Sequence, residues 1–124
     1  MIGVGWGIKK LASRGSSRDR VLSKFGFSLD DLRAAGTIVD RGPYTKAGRA
    51  LTKHGEGQRA SGTFPALKGS PEKINLQGQD ILYQILDHPK ASFKPLGRGG
   101  LEVRLPDGGG VRFDADGSLS GFVD

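Results

Sequence analysis

His54 stands among cations: Lys53 directly precedes it, Arg49 lies one helical turn earlier, and Arg59 follows shortly after. An imidazole with an ordinary pKa near 6.5 can give or take a proton close to neutral pH. Ringed by positive charge, it suits a phosphate-bearing substrate. A histidine at a helix C-terminus is also favoured simply because its cation meets the negative end of the dipole. Clustered cations serve no core purpose, and they tip the reading of Lys53-His54 toward chemistry. Three arginines near the end of the chain could supply further charge. Arg104 and Arg112 each take the polar phase of an alternating stretch, Leu101–Leu105 and Val111–Phe113. If those stretches pair around the turn at 106–110, both project from one face. Guanidinium groups bind phosphate through two parallel donors and stabilise charge that builds on it. Arg98 lies among Gly97, Gly99 and Gly100, where backbone can approach a ligand closely.

The remaining polar residues carry weaker signals. His88 precedes Pro89 and reads as a helix cap or a surface residue. Asp107, Asp114 and Asp116 read as turn formers, because their spacing departs from an EF-hand calcium loop. The glycines at 97–100 are not followed by Gly-Lys-Ser/Thr, so they do not form a Walker-type phosphate loop. The chain has no cysteine, which excludes disulfides, thiolate metal sites and a cysteine nucleophile. Two histidines far apart in sequence do not suggest zinc, and no metal or cofactor is expected.

The elements that must position these groups follow from periodicity. Ala47, Ala50, Leu51 and His54 recur at i, i+3, i+4 and i+7, one face of a helix over residues 45–54. Gly55 stops it. Ser28-Leu29-Asp30-Asp31 has the form of a capping box and starts a helix over 29–35. A shorter helix is expected from Asp19 to Phe25, and an extended piece from Thr37 to Asp40. Ser70-Pro71 opens a helix over 71–86, with a stripe of Ile74, Gly78, Ile81 and Ile85 widened by Leu82 and Leu86. Gly78 on that stripe would permit close packing. Phe64 and Leu67 are expected to anchor an otherwise loop-like segment. Strands follow at 91–96, 101–105, 111–113 and 119–123, joined by turns short enough to make neighbours antiparallel. Helices first and a meander after them make an α+β fold, with helices packed on one face of an antiparallel sheet.

A chain of 124 residues suffices for one modest core. The net charge is +6, and its distribution is uneven: residues 1–60 carry twelve Lys/Arg against five Asp/Glu, while 61–124 carry seven against eight. A basic half fits a polyanionic partner. No run approaches the roughly 18 apolar residues needed to span a bilayer. Met1–Ile8 is short, lacks preceding basic residues and reads poorly as a secretory signal. A carrier is therefore expected if the protein is exported.

Taken together, Tyr44–Leu51, Lys53-His54-Gly55, Asn75, Gly78-Gln79, Glu102-Val103-Arg104, Gly110–Phe113, Asp116-Gly117 and Gly121-Phe122 resemble the C-terminal toxin modules of bacterial polymorphic toxins. These are the modules carried on contact-dependent growth-inhibition and Rhs-type proteins. The resemblance covers residues 42–124 and leaves 1–41 as a linker and helical extension. It implies the fold group shared by barnase, EndoU, colicin D and RelE toxins. It also implies a metal-independent endoribonuclease acting on tRNA in the cytoplasm of a target bacterium. Such a domain is delivered as the tip of a larger secreted or cell-surface protein and silenced by an immunity protein, here expected to be acidic. By position, Lys53, His54, Arg104 and Arg112 carry the catalysis. Arg49, Arg59 and Arg98, cations near them in the sequence or among glycines, are expected to bind substrate. One departure is the turn Asp107-Gly108-Gly109-Gly110, which lacks an arginine expected there. The second acid/base stays open among His88, Tyr44 and Thr52. Two other classes fit the composition: a noncatalytic nucleic-acid-binding module and a structural domain of a larger secreted protein.

Overall fold

The computed structural model describes residues 17–55, 64, 67, 69–106 and 108–124. In chain order the elements are α1 (Ser17–Lys24), α2 (Leu29–Ala35), β1 (Val39–Arg41), β2 (Tyr44–Thr45), α3 (Lys46–Gly55) and α4 (Pro71–Asp87). The strands β3 (Ser92–Pro95), β4 (Leu101–Arg104), β5 (Gly110–Phe113) and β6 (Leu119–Val123) complete the chain. β1 and β2 form a two-stranded ribbon, and β3-β4-β5-β6 a four-stranded antiparallel meander. The expected α+β architecture holds.

Local chemistry sets the helix starts. Ser28 Oγ accepts from Asp31 N at 3.1 Å, and Ser70 Oγ accepts from Lys73 N at 3.4 Å with Pro71 in the first turn. α3 begins one residue later than its apolar spacing suggested, because Tyr44 and Thr45 pair with β1. Thr45 is extended and its Oγ1 accepts from Gly48 N at 3.1 Å, so it caps the helix from outside. The next free amides are also satisfied: Lys46 N donates to Ile38 O and Ala47 N to Gly36 O. The first helix starts earlier and the first strand slightly later than expected, by shifts of one or two residues at each end.

One hydrophobic cluster joins helices and sheet. It takes Leu22, Leu29 and Leu32 from α1 and α2, Ala47, Ala50 and Leu51 from α3, and Ile81, Leu82, Ile85 and Leu86 from α4. Leu101, Val103, Val111, Phe113, Leu119 and Phe122 meet them from the inner face of the sheet. Each of the larger side chains, Leu, Ile, Val or Phe, taken from water contributes about 1.5–3 kcal/mol. Phe64 and Leu67 pack against this cluster as expected, and Phe64 lies 5.4 Å from Phe122, ring centroid to centroid.

The helix that carries Lys53 is held by an unusually close crossing. A Cβ at Gly78 would fall 2.4 Å from the Ala47 carbonyl oxygen, and one at Gly48 2.0 Å from Asn75 Oδ1. Asn75 locks the same junction, accepting from Thr45 N and donating to Pro43 O. Gly78→Ala should therefore destabilise the fold by about 1–3 kcal/mol, since backbone cannot yield as a side chain would. An unchanged melting temperature would refute this account of the crossing.

Candidate functional site

The outer face of the sheet is polar, and strand register decides what stands on it. Residues directly opposite one another share a face. One row runs Lys94, Glu102, Arg112, Gly121 across the four strands, and the next runs Ser92, Arg104, Gly110, Val123. Arg104 and Arg112 thus project from one face, as their phase required. They are not two independent surface cations, however. Arg112 Nε donates to Glu102 Oε1 at 2.7 Å and Arg104 Nε to Glu102 Oε2 at 3.0 Å. The glutamate is buried beneath them at 7% exposure.

The Arg104 and Arg112 hydrogen bonds hold the Glu102 carboxyl below its ordinary pKa, outweighing the opposing effect of burial. Its negative charge fixes both guanidinium groups in place. A carboxylate whose folded pKa is depressed adds stability above its unfolded pKa, and that stability is lost as pH falls through the folded value. Glu102→Gln should accordingly lose less stability than the native chain as pH falls below the ordinary glutamate value of 4.5. Parallel slopes in denaturant titrations would show that the clamp contributes nothing.

The two arginines differ in what remains free. Arg104 Nη1 donates to the Asp124 carbonyl oxygen. Arg112 is 48% exposed, and among the described residues no acceptor takes its Nη groups. It lies between two clefts. One is lined by Lys53, Arg112, Ser120 and Gly121, with Ala50 and Phe122 behind them. The other is lined by Gly97, Arg98, Arg112 and Ser120. Ser120 reaches both because it is the extra residue of a β-bulge: Arg112 pairs with Gly121 and Phe113 with Leu119, leaving Ser120 unmatched and exposed.

The structure therefore brings Lys53, Arg98 and Arg112 around one stretch of sheet, with Arg104 bound to the same carboxylate as Arg112. Arg49 is engaged elsewhere. Its Nε lies 3.7 Å from Asp40 Oδ2, and Lys46 Nζ lies 3.8 Å from Asp40 Oδ1. His54 sits in the last turn of α3, and its side chain lies outside the described residues, as does all of Arg59. The open candidates for a second acid/base separate in space. His88 caps α4, and its Nδ1 accepts from Lys90 N at 3.0 Å. Tyr44 belongs to the β1–β2 ribbon. Thr52 is buried and donates to Arg49 O at 2.6 Å. Asp114 and Asp116 form the β5–β6 turn as expected, both accepting from Ser118. Asp107 lies outside the described residues.

Sequence reading passed over Glu102, Lys94 and Ser120. Glu102 looked like an ordinary polar residue alternating with Leu101 and Val103. Only the register, with Arg104 opposite Gly110, sets it across from Arg112. Among the described residues, no group of three His, Asp or Glu side chains gathers as a metal site. No helix there is long and apolar enough to cross a membrane.

The family described as the CdiA C-terminal tRNase toxin domain matches residues 33–124, which span every strand and every candidate site residue. The chain belongs to this family. A solved structure is also similar: the toxic C-terminal tip of CdiA from Pseudomonas aeruginosa in complex with immune protein. It is 34% identical, with a TM-score of 0.60, over 71% of this chain and 97% of that one. No curated protein matches the chain. As a CdiA tRNase toxin domain, the chain is a nuclease of the toxin class, and the clefts beside Arg112 are its candidate site.

Proposed function

We propose that this CdiA tRNase toxin domain cleaves tRNA without a metal ion, by general acid/base attack of a ribose 2′-hydroxyl on the adjacent phosphodiester. The observation that carries the reading is Arg112, held by Glu102 with no acceptor for its outer donors among the described residues, between clefts that also present Lys53 and Arg98. In the reaction a base takes the 2′-hydroxyl proton and the 2′-oxygen bonds to phosphorus. The bond from phosphorus to the 5′-oxygen then breaks as an acid protonates that oxygen. His54 fills one proton-transfer role. Arg112, Arg104 and Lys53 offset the charge that builds on the phosphoryl oxygens. Arg98 and Arg59 are assigned to the substrate backbone, while Arg49 is held by Asp40. Catalysis is assigned to residues 42–124, with 1–41 as linker and helical extension.

The immune protein bound to the similar CdiA tip supports a cognate immunity protein for this chain too. An acidic partner is the natural fit, since opposite charge steers encounter and complements the cations around Arg112. Delivery as the tip of a larger carrier, with action in the target-cell cytoplasm, follows from the same family reading. The test is incubation of the purified chain with total tRNA in EDTA. Discrete cleavage products are expected, and the product of the neighbouring reading frame should suppress them. Intact tRNA, or cleavage only when metal is restored, would overturn the mechanism.

A further inference from the structure

Gly121 stands within β6, where glycine is a poor choice: it has no side chain to pack and loses the most backbone freedom on ordering. It therefore needs a reason, and the usual ones fail. Most other glycines with described surroundings have a positive φ or sit where a Cβ would come within 3.0 Å of another atom. Gly121 has no positive φ, and no heavy atom of the described residues lies within 4 Å of where its Cβ would be. The neighbouring bulge does not require it either, since the type that demands glycine places it in the left-handed region. Gly97 shares the same lack of constraint, and each of the two lines a cleft with Arg112. Gly97 lies in an exposed turn, where glycine is ordinary. Gly121 does not.

Its position says what the space left by the described residues serves. Gly121 pairs directly with Arg112, so a side chain there would rise from the same face, into the cleft that Lys53 and Ser120 also line. We infer that Gly121 is a clearance position, leaving room for an RNA phosphodiester to lie against Arg112 and Lys53. The inference rests on the RNA-cleaving reading and adds a determinant of substrate access to it. An anion is the matching ligand class, because the described residues lining the cleft offer a guanidinium, an ammonium and a hydroxyl and no carboxylate.

The test compares the native chain with Gly121→Ala and Gly121→Val, measuring melting temperature together with kcat and KM on total tRNA in EDTA. Neither variant should melt earlier, because a Cβ there meets no atom of the described residues within 4 Å and valine suits a strand. Cleavage efficiency should fall with side-chain size, by about tenfold or more for valine and mainly through KM. A valine variant with native kcat/KM overturns the inference, as does an alanine variant whose activity falls only in step with its melting temperature. Native cleavage combined with lost inhibition by the immunity protein also overturns it, by assigning the space to a protein partner. If the native chain itself fails to cut tRNA, the functional reading has failed. If it cuts and the valine variant cuts equally, only the role of Gly121 has.

Discussion

His54→Ala is expected to lower tRNA cleavage by about 100- to 10,000-fold, the usual loss for one general acid or base, with little change in melting temperature. The argument is positional. Lys53, the residue before it, lines the cleft beside Arg112, so the last turn of α3 ends at the cationic part of the sheet. The opposing account is a core role, because Ala47, Ala50 and Leu51, which share its helical phase, are all buried. The two accounts separate cleanly. A core histidine makes the alanine variant melt early, and whatever stays folded still cuts. A proton-transfer histidine leaves a well-folded variant that still binds tRNA and does not cut it. Full activity in a stable His54→Ala chain would falsify the catalytic assignment. A rate that falls across the imidazole titration range in the native chain, and is flat in the variant, is the corresponding pH signature.

Much of the fold could be read in advance because local signals agreed with tertiary ones. Ser28 and Ser70 cap where their types suggested, and the stripe from Ile74 to Leu86 is buried on α4. Ile81 and Ile85 of that stripe share one core with Val103 and Phe113 of the sheet. Gly78 packs closely, as its place on an apolar stripe implied. The boundary at Tyr44-Thr45 was hidden because an apolar period cannot distinguish the first helical residue from a capping threonine just outside it.

Charge was the less informative guide to the site. The excess of cations in residues 1–60 drew attention to the N-terminal half, yet several of those groups have structural duties. Arg33 is buried in an ion pair with Asp87, and Arg18 donates to the carbonyls of Asp87 and His88. Arg49 and Lys46 flank Asp40. The exposed cations Arg98 and Arg112 come from the half whose net charge is slightly negative. A net count cannot reveal which charges are already paired. The Glu102 clamp was equally hidden, since a carboxylate and two arginines at alternating positions describe any solvated strand face until the register is known.

Arg112→Ala should reduce cleavage by on the order of 100- to 1,000-fold, comparable to losing one donor that stabilises transition-state charge. Arg104→Ala should weaken it less. Both bind Glu102, but Arg104 also spends Nη1 on the Asp124 carbonyl, whereas Arg112 gives its outer donors to no described residue and lines both clefts. Neither variant should unfold, because each leaves Glu102 one remaining arginine on the sheet. Arg112→Lys should restore only part of the activity: an ammonium cannot bond Glu102 through Nε while presenting two parallel donors outward. Binding supplies an independent readout. In the background of an inactive His54→Ala chain, losing one phosphate contact should lower the salt dependence of tRNA affinity by about one counterion. If Arg112→Ala cuts at the native rate with an unchanged salt slope, the guanidinium serves Glu102 and the sheet alone, and the reacting phosphate must be sought elsewhere on the molecule.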